Sequence, residues 1–239
     1  MPEVAVVFGA SGGIGAALVA NLAASGRYSQ IHAGARRNLE ELPPGVSAFR
    51  FELGDERSIA AAVAALSSPP TLVAIATGVL HDDGLALQPE KSARAIDPAA
   101  MEQVLAINTV GPALIAKHVL PHLPRERRAV FAALSAKVGS ISDNRLGGWH
   151  SYRASKAALN MLIKTFAIEL SRTHPLAVVA ALHPGTVASA LSAPFSRGMA
   201  PDALFAAERA AAQLMDVIEG LEPRDSGGLF SWDGSRLPY

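Results

Sequence analysis

Apolar residues along the chain fall into short continuous runs separated by stretches with helical spacing, and not into the strict alternation of a half-buried sheet. Val4 to Phe8 is one such run. It closes at Gly9, passes through a glycine-rich turn and gives way to Ile14, Leu18 and Leu22 at helical intervals, which predicts strand, turn, helix. Gly26 stops that helix, Ile31 to Ala35 returns as a second strand, and Ala48 to Phe51 as a third. Ile59, Val63 and Leu66 then mark one helical face ended by Pro69-Pro70, ahead of a fourth strand in the run Leu72 to Ala76. Strands alternating with helix-sized gaps imply parallel strands joined by right-handed crossovers.

Residues 79 to 96 lack periodicity and read as a surface excursion. Asp97-Pro98 predicts the N-cap and first turn of a helix carrying Met101, Val104, Leu105 and Asn108. Gly111-Pro112 predicts a bend or break just beyond Asn108. Ala129 to Leu134 reads as a fifth strand, Ala154 to Leu170 as a long helix, Leu176 to Leu182 as a sixth strand and Gly228 to Phe230 as a short seventh. A segment rich in Ala, Met and Phe lies between the last two. The length of 239 residues does not by itself choose between one domain and two. With no repeat, heptad run or linker, the expectation is one α/β domain over residues 1–239, a doubly wound parallel sheet of about seven strands flanked by helices.

Composition narrows the function classes. Hydrophobic residues make up 50% and charged residues 18%, which excludes disorder and suits strands buried on both faces. Lys+Arg and Asp+Glu balance at 21 each, so the electrostatic footprint of a nucleic-acid or anionic-membrane binder is missing. Cysteine is absent, which removes disulfides, thiolate catalysis and Cys-built zinc sites and permits the cytoplasm, the expected compartment. The seven His residues form no ligand-spaced cluster, so no metal is expected. Met1-Pro2-Glu3 runs straight into the first strand without a basic n-region, and no apolar run approaches the roughly 18 to 20 residues that cross a bilayer. A soluble protein is expected.

The segment Gly9-Ala10-Ser11-Gly12-Gly13-Ile14-Gly15 stands where the first strand meets the first helix. Glycines at such a turn let the main chain approach a pyrophosphate, whose charge sits against helix amides and the positive dipole end. The spacing is GxxxGxG; a purely structural turn is the alternative. Arg36 and Arg37 follow the second strand, where the adenosine ribose would lie. A guanidinium there favours a 2′-phosphate through paired charge-assisted bonds, which points to NADP(H), with Arg36, nearer the strand end, as the chosen residue.

Tyr152 and Lys156 are one helical turn apart, on the same face. Bringing a phenol from a pKa near ~10 toward ~7 needs about 4 kcal/mol, and one cation about 4 Å away supplies that at an effective dielectric near ~20. The pair could otherwise be two surface side chains. Together, GxxxGxG, an Asn in the fourth helix, a Ser ending the fifth strand, YxxxK and Pro-Gly after the sixth strand resemble the short-chain dehydrogenase/reductases over nearly the whole chain. Ser135 to Ser140, Asp143-Asn144, Gly147-Gly148-Trp149 and Tyr152 to Asn160 look most like the C-factor and sniffer-like carbonyl reductases within that family.

The resemblance implies a Rossmann-like fold and an NADP(H)-dependent oxidoreductase acting on a carbonyl or alcohol. Tyr152 would donate the proton to the carbonyl oxygen, Lys156 would hold the ribose and tune Tyr152, and Asn108 would anchor a water relaying protons to Lys156. Ser135 would hydrogen-bond the substrate oxygen, with Ser140 as the runner-up. Gly9, Ser11, Gly12, Gly13, Ile14, Gly15, Arg36, Glu52, Leu53, Ala76, Thr77, Gly78 and Pro184-Gly185-Thr186-Val187 would contact the cofactor, with Asn108, Tyr152 and Lys156. Two departures stand out: Phe8 replaces the usual Thr before the first glycine, and Ile75-Ala76-Thr77-Gly78 replaces Asn-Asn-Ala-Gly. A third is Ala136, which occupies the usual serine place, so Ser135 can serve only if the strand end is irregular. Ala188 to Leu204, with Leu191, Phe195, Met199 and Leu204, would form an apolar lid over a hydrophobic carbonyl substrate. Relatives pack the helices of Asn108 and Tyr152 between subunits, implying a homodimer or homotetramer. The competing expectation is a C-factor-like signalling or sensor protein that binds a dinucleotide with little turnover.

Overall fold

In the computed structural model, which describes residues 3–189, 191–195 and 204–239, the apolar runs form the parallel sheet they predict. Its strands are β1 (Val4–Phe8), β2 (Gln30–Ala35), β3 (Val46–Arg50), β4 (Leu72–Ile75), β5 (Ala129–Leu134), β6 (Ala177–His183), β7 (Leu229–Ser231) and β8 (Arg236–Leu237). They lie in the order β3-β2-β1-β4-β5-β6-β7-β8. Neighbours run parallel except β8, which pairs antiparallel with β7. This eighth strand was not expected, because two residues carry no period to read.

The helices are α1 (Gly13–Ala24), α2 (Glu56–Ala64), α3 (Pro98–Leu105), α4 (Gly111–Val119), α5 (His150–Leu170) and α6 (Ala207–Gly220). Successive strand side chains point to opposite faces. Ala5, Val7, Val130, Ala132 and Val178 therefore pack with Leu18 and Leu22 of α1 and Leu214 and Ile218 of α6. Val4, Val6, Phe131 and Val179 pack with Ile59 of α2, Ile115 of α4 and Ile163 of α5. Each Leu or Ile fully buried in these layers stabilises by about 1.5–3 kcal/mol. The segment left unassigned in the sequence contains α6, whose Ala-rich face hid its period; Ala210, Leu214, Val217 and Ile218 are its buried stripe.

Three expectations change. The 79–96 excursion is anchored, not superficial: Val79, Leu80, Leu87 and Glu90 are buried, and Asp82 and Leu87 exchange backbone hydrogen bonds of 3.0 and 2.9 Å. Asp97 does cap α3, accepting from the Ala100 amide at 2.8 Å. The break beyond Asn108, however, is a π-helical turn over Ala106–Val110, with the Gly111 amide donating to the Ala106 carbonyl, and the helix continues. The continuous helix Pro98–His122 is thus 25 residues long and holds an 18-residue stretch of mean hydropathy 1.3, by length and composition enough to cross a membrane, contrary to the sequence expectation. Half of that stretch is buried within the protein, as in a core helix.

Phe8 has a structural reason. Its ring meets Phe49 and Phe51 edge to face, centroids 5.2 and 5.0 Å apart. Gly34 makes room for this cluster, since a Cβ there would overlap the Phe49 ring.

Candidate active site

The strand order reverses between β1 and β4, so the connections leaving their carboxyl ends diverge and open a crevice there. Gly9, at φ +93°, turns the chain across that opening, and a Cβ on it would come within 2.8 Å of the Ala76 carbonyl carbon. A Cβ on Gly15 would overlap the Gly9 carbonyl oxygen. The turn can therefore be made only with glycine at these two positions. α1 is preceded by Gly12 at its N-cap, without a side-chain cap or an acidic residue in its first turn, so its amides and positive end face the crevice uncompensated. Those features fit an anionic dinucleotide, as does Thr77, whose buried Oγ1 has no protein partner.

Alongside lies a cavity of about 290 Å³ lined by Ile14, Thr77, Leu80, Ala136, Trp149 and Tyr152, by Lys156 and His183, and by Pro184 to Val187. Tyr152 and Lys156 stand one turn apart near the start of α5, and are 8% and 3% exposed. Lys156 Nζ is 5.8 Å from the Tyr152 ring centroid and donates to the Leu134 carbonyl at 2.8 Å. Burial pushes the Tyr152 phenol up to about 12 and Lys156 down to about 8. This is the reverse of the expected pull on the phenol. Desolvation outweighs a cation whose hydrogen bond is already given to a carbonyl.

Asn108 is fully buried. Its side chain accepts from the Val79 amide and donates to the Val79 carbonyl, both at 2.8 Å, and donates to Ser155 Oγ at 3.0 Å. Asn108 Oδ1 and Lys156 Nζ both lie 3.4 Å from the point where Gly78 would carry a Cβ. The amide thus locks the end of β4 to α5.

Ser135 lines the cavity wall with Tyr152, but its hydroxyl is bonded elsewhere. Ala136 is extended (φ −149°, ψ 147°), so neighbours alternate: Ser135 donates to Asn160 Oδ1 at 2.7 Å, and Ala136 packs with Leu80 and Tyr152. The runner-up Ser140 is buried and accepts from the Asp143 amide at 3.2 Å. Glu52 and Leu53 do not line this cavity; Leu53 packs where a Cβ on Gly111 would sit. Of the two arginines, Arg37 and not Arg36 lines a second hollow of about 360 Å³ with Ser11, Glu40 and Glu41. From the lid segment, Leu191 and Ser192 reach the cavity wall, whereas Ala190 and residues 196–203, including Met199, lie outside the described residues. A larger hollow of about 490 Å³, lined by Asp216, Asp225 and Asp233, contains none of these groups.

Sequence reasoning missed several wall residues, Leu80, Trp149 and His183 among them. Leu80 and Trp149 sat in segments without periodicity, and His183 was masked by the Pro-Gly turn beside it. His183 Nδ1 is buried without a partner, and burial pushes the ring down to about 4 from 6.5. The unfolded chain is protonated first, so the native state keeps this contribution above pH 6.5 and loses it as pH falls toward 4, about 3 kcal/mol in all. We expect His183→Gln to flatten the fall in Tm between pH 7.5 and 4.5. An unchanged fall would place the acid sensitivity elsewhere.

Comparison with known proteins agrees with this geometry. The family model for short chain dehydrogenase matches residues 3–200. C-signal of Myxococcus xanthus is 32% identical over 144 residues, 60% of this chain and 81% of that protein. In seven further curated relatives the match spans between 52% and 66% of their length. The NADPH-bound carbonyl reductase from chicken fatty liver superposes with a TM-score of 0.85 at 23% identity, covering 100% of this chain and 94% of that one. Carbonyl reductase Sniffer of D. melanogaster gives 0.83 at 21%, covering 100% of both chains. At those identities the superpositions speak for the fold.

Proposed function

The chain belongs to the short chain dehydrogenase family, and from that premise we propose that it is an NADP(H)-dependent carbonyl reductase with Tyr152 as its proton donor. The observation that carries this reading is the burial of Tyr152 and Lys156, one turn apart, in a cavity that opens between the glycine turn and Pro184 to Val187. The bound dinucleotide supplies the hydride and accepts it in the reverse direction. At neutral pH a phenol near 12 is protonated, so Tyr152 holds the proton that the carbonyl oxygen needs as it becomes an alcohol. Lys156, near 8, is mostly charged there and stabilises the phenolate that donation leaves. Arg37 and Ser11 would hold a 2′-phosphate, in place of the Arg36 expected from strand position. Apolar walls from Leu80, Ala136, Val138, Trp149 and Leu191 suit a hydrophobic aldehyde or ketone.

The reading extends to the whole chain as one cytoplasmic domain. Val110, Met161 and Ile168, 51%, 66% and 51% exposed on the helices of Asn108 and Tyr152, support a homodimer or homotetramer. The test is NADPH consumption against a panel of aldehydes and ketones, with NADH in parallel. No turnover of any member would overturn the proposal.

Ala136 favours a second reading. With a methyl group facing Tyr152, the substrate oxygen lacks a serine hydroxyl, and a dinucleotide-binding signalling protein with slight turnover, as the C-signal relative permits, becomes tenable. Ala136→Ser separates the two. Adding an oxyanion donor is expected to raise kcat by about tenfold or more in a working reductase. No gain would mean that the methyl group is not what limits turnover.

A further inference from the structure

Glu90 is a buried acid that the mechanism above does not use; it is 6% exposed and comes from the segment that reads as featureless in sequence. The Asp82–Leu87 bridge folds that segment back, bringing Leu80 against Tyr152 and Glu90 against the start of α5. α5 needs this contact. Its N-terminus follows Gly147, Gly148 and Trp149, all left-handed at φ +62°, +66° and +52°, and Trp149 provides no side-chain cap. No acidic residue occupies the first turn either. Ser151 and Tyr152 in that turn are buried, so their amides need partners from within the protein.

The Glu90 carboxylate replaces the missing cap from a distance in sequence. It accepts from the Ser151 amide at 3.1 and 3.3 Å and from the Ser151 hydroxyl. The Glu90 carbonyl accepts from the Trp149 amide at 2.5 Å. One residue therefore holds both sides of the turn that aims Tyr152, next in sequence to Ser151, and Trp149, whose indole meets the Tyr152 ring edge to face at 6.2 Å. Burial works to raise this carboxyl, but the Ser151 hydrogen bonds and nearby His150 bring it below the usual range, so it is charged at neutral pH.

We propose that Glu90 is a positioning residue for Tyr152: it caps α5 in trans and so fixes where the phenol and the Trp149 wall stand relative to the substrate carbonyl. The assignment rests on the reductase reading and deepens it. Glu90 does not touch 9–15 or 184–187, the segments that would hold the nucleotide's phosphates and nicotinamide, so the effect should fall mainly on turnover and little on cofactor binding.

Glu90→Ala is expected to lower kcat about 10- to 100-fold with the NADPH KM within twofold, and to speed amide exchange at 151–153 at least tenfold while exchange in β1 is unchanged. Glu90→Gln keeps one acceptor oxygen and should recover part of the kcat, which preserves the test if the alanine variant folds poorly. Two outcomes overturn the proposal: kcat within twofold of wild type in both variants, or unaltered exchange at 151–153. Because exchange needs no substrate, a wild type that turns over no carbonyl counts against the reductase reading alone, while unaltered exchange counts against Glu90.

Discussion

Tyr152→Phe is expected to lower carbonyl turnover by about a thousandfold, within the range a positioned general acid contributes, while leaving NADPH affinity within a few-fold of wild type. Only one oxygen is removed, from a ring held by Trp149, Leu80 and Ala136, so the cavity keeps its shape. Lys156 still donates to the Leu134 carbonyl and cannot take over, because its hydrogen bond holds it beside the ring instead of in the place of the lost hydroxyl. Single-turnover NADPH oxidation in the presence of a reactive aldehyde measures the chemical step without interference from product release. A variant that retains more than about a tenth of the wild-type rate would show that the proton comes from another group, such as water or His183, and the reading built on Tyr152 would fall with it.

What the sequence revealed depended on how local each signal was. Runs such as Val4 to Phe8 and Ala129 to Leu134 are buried on both faces, so continuous apolarity located those strands to the residue. The glycine turn and the Tyr152–Lys156 spacing were legible because four residues on a helix, or a strand meeting a helix, bring side chains together without help from distant chain. The bond that occupies the Ser135 hydroxyl was not legible, for the opposite reason. Which of two adjacent side chains faces Tyr152 is decided by the backbone of Ala136 and by Asn160, 25 residues away. Glu90 was hidden in the same way: its partner Ser151 lies 61 residues on, in a helix whose own sequence gives no sign of needing a cap. Arg36 was preferred to Arg37 by strand position alone, whereas of the two it is Arg37 that lines the hollow beside Ser11.

The second large effect is expected at the glycine turn, where Gly15 and Gly12 differ enough to separate cofactor approach from folding. Gly15→Ala places a methyl group inside the Gly9 carbonyl, a backbone atom that cannot swing away, so either β1 or α1 must shift. Overpacking of that kind costs about 3 kcal/mol, or about 6 to 12 °C in Tm for a domain of this size. The displaced amides should also weaken NADPH binding a hundredfold or more. Gly12→Ala is the internal control. Its Cβ would meet only the Gly9 oxygen at 3.5 Å, an ordinary contact, so Tm should stay within about 2 °C, a surface substitution free of strain. Gly12 nevertheless heads α1, and a methyl group there stands between its amides and any bound phosphate. Loss of NADPH affinity in Gly12→Ala without loss of Tm would identify the turn as the pyrophosphate cradle. Full affinity in both variants would mean that the glycines serve the strand-to-helix turn and that the dinucleotide lies elsewhere.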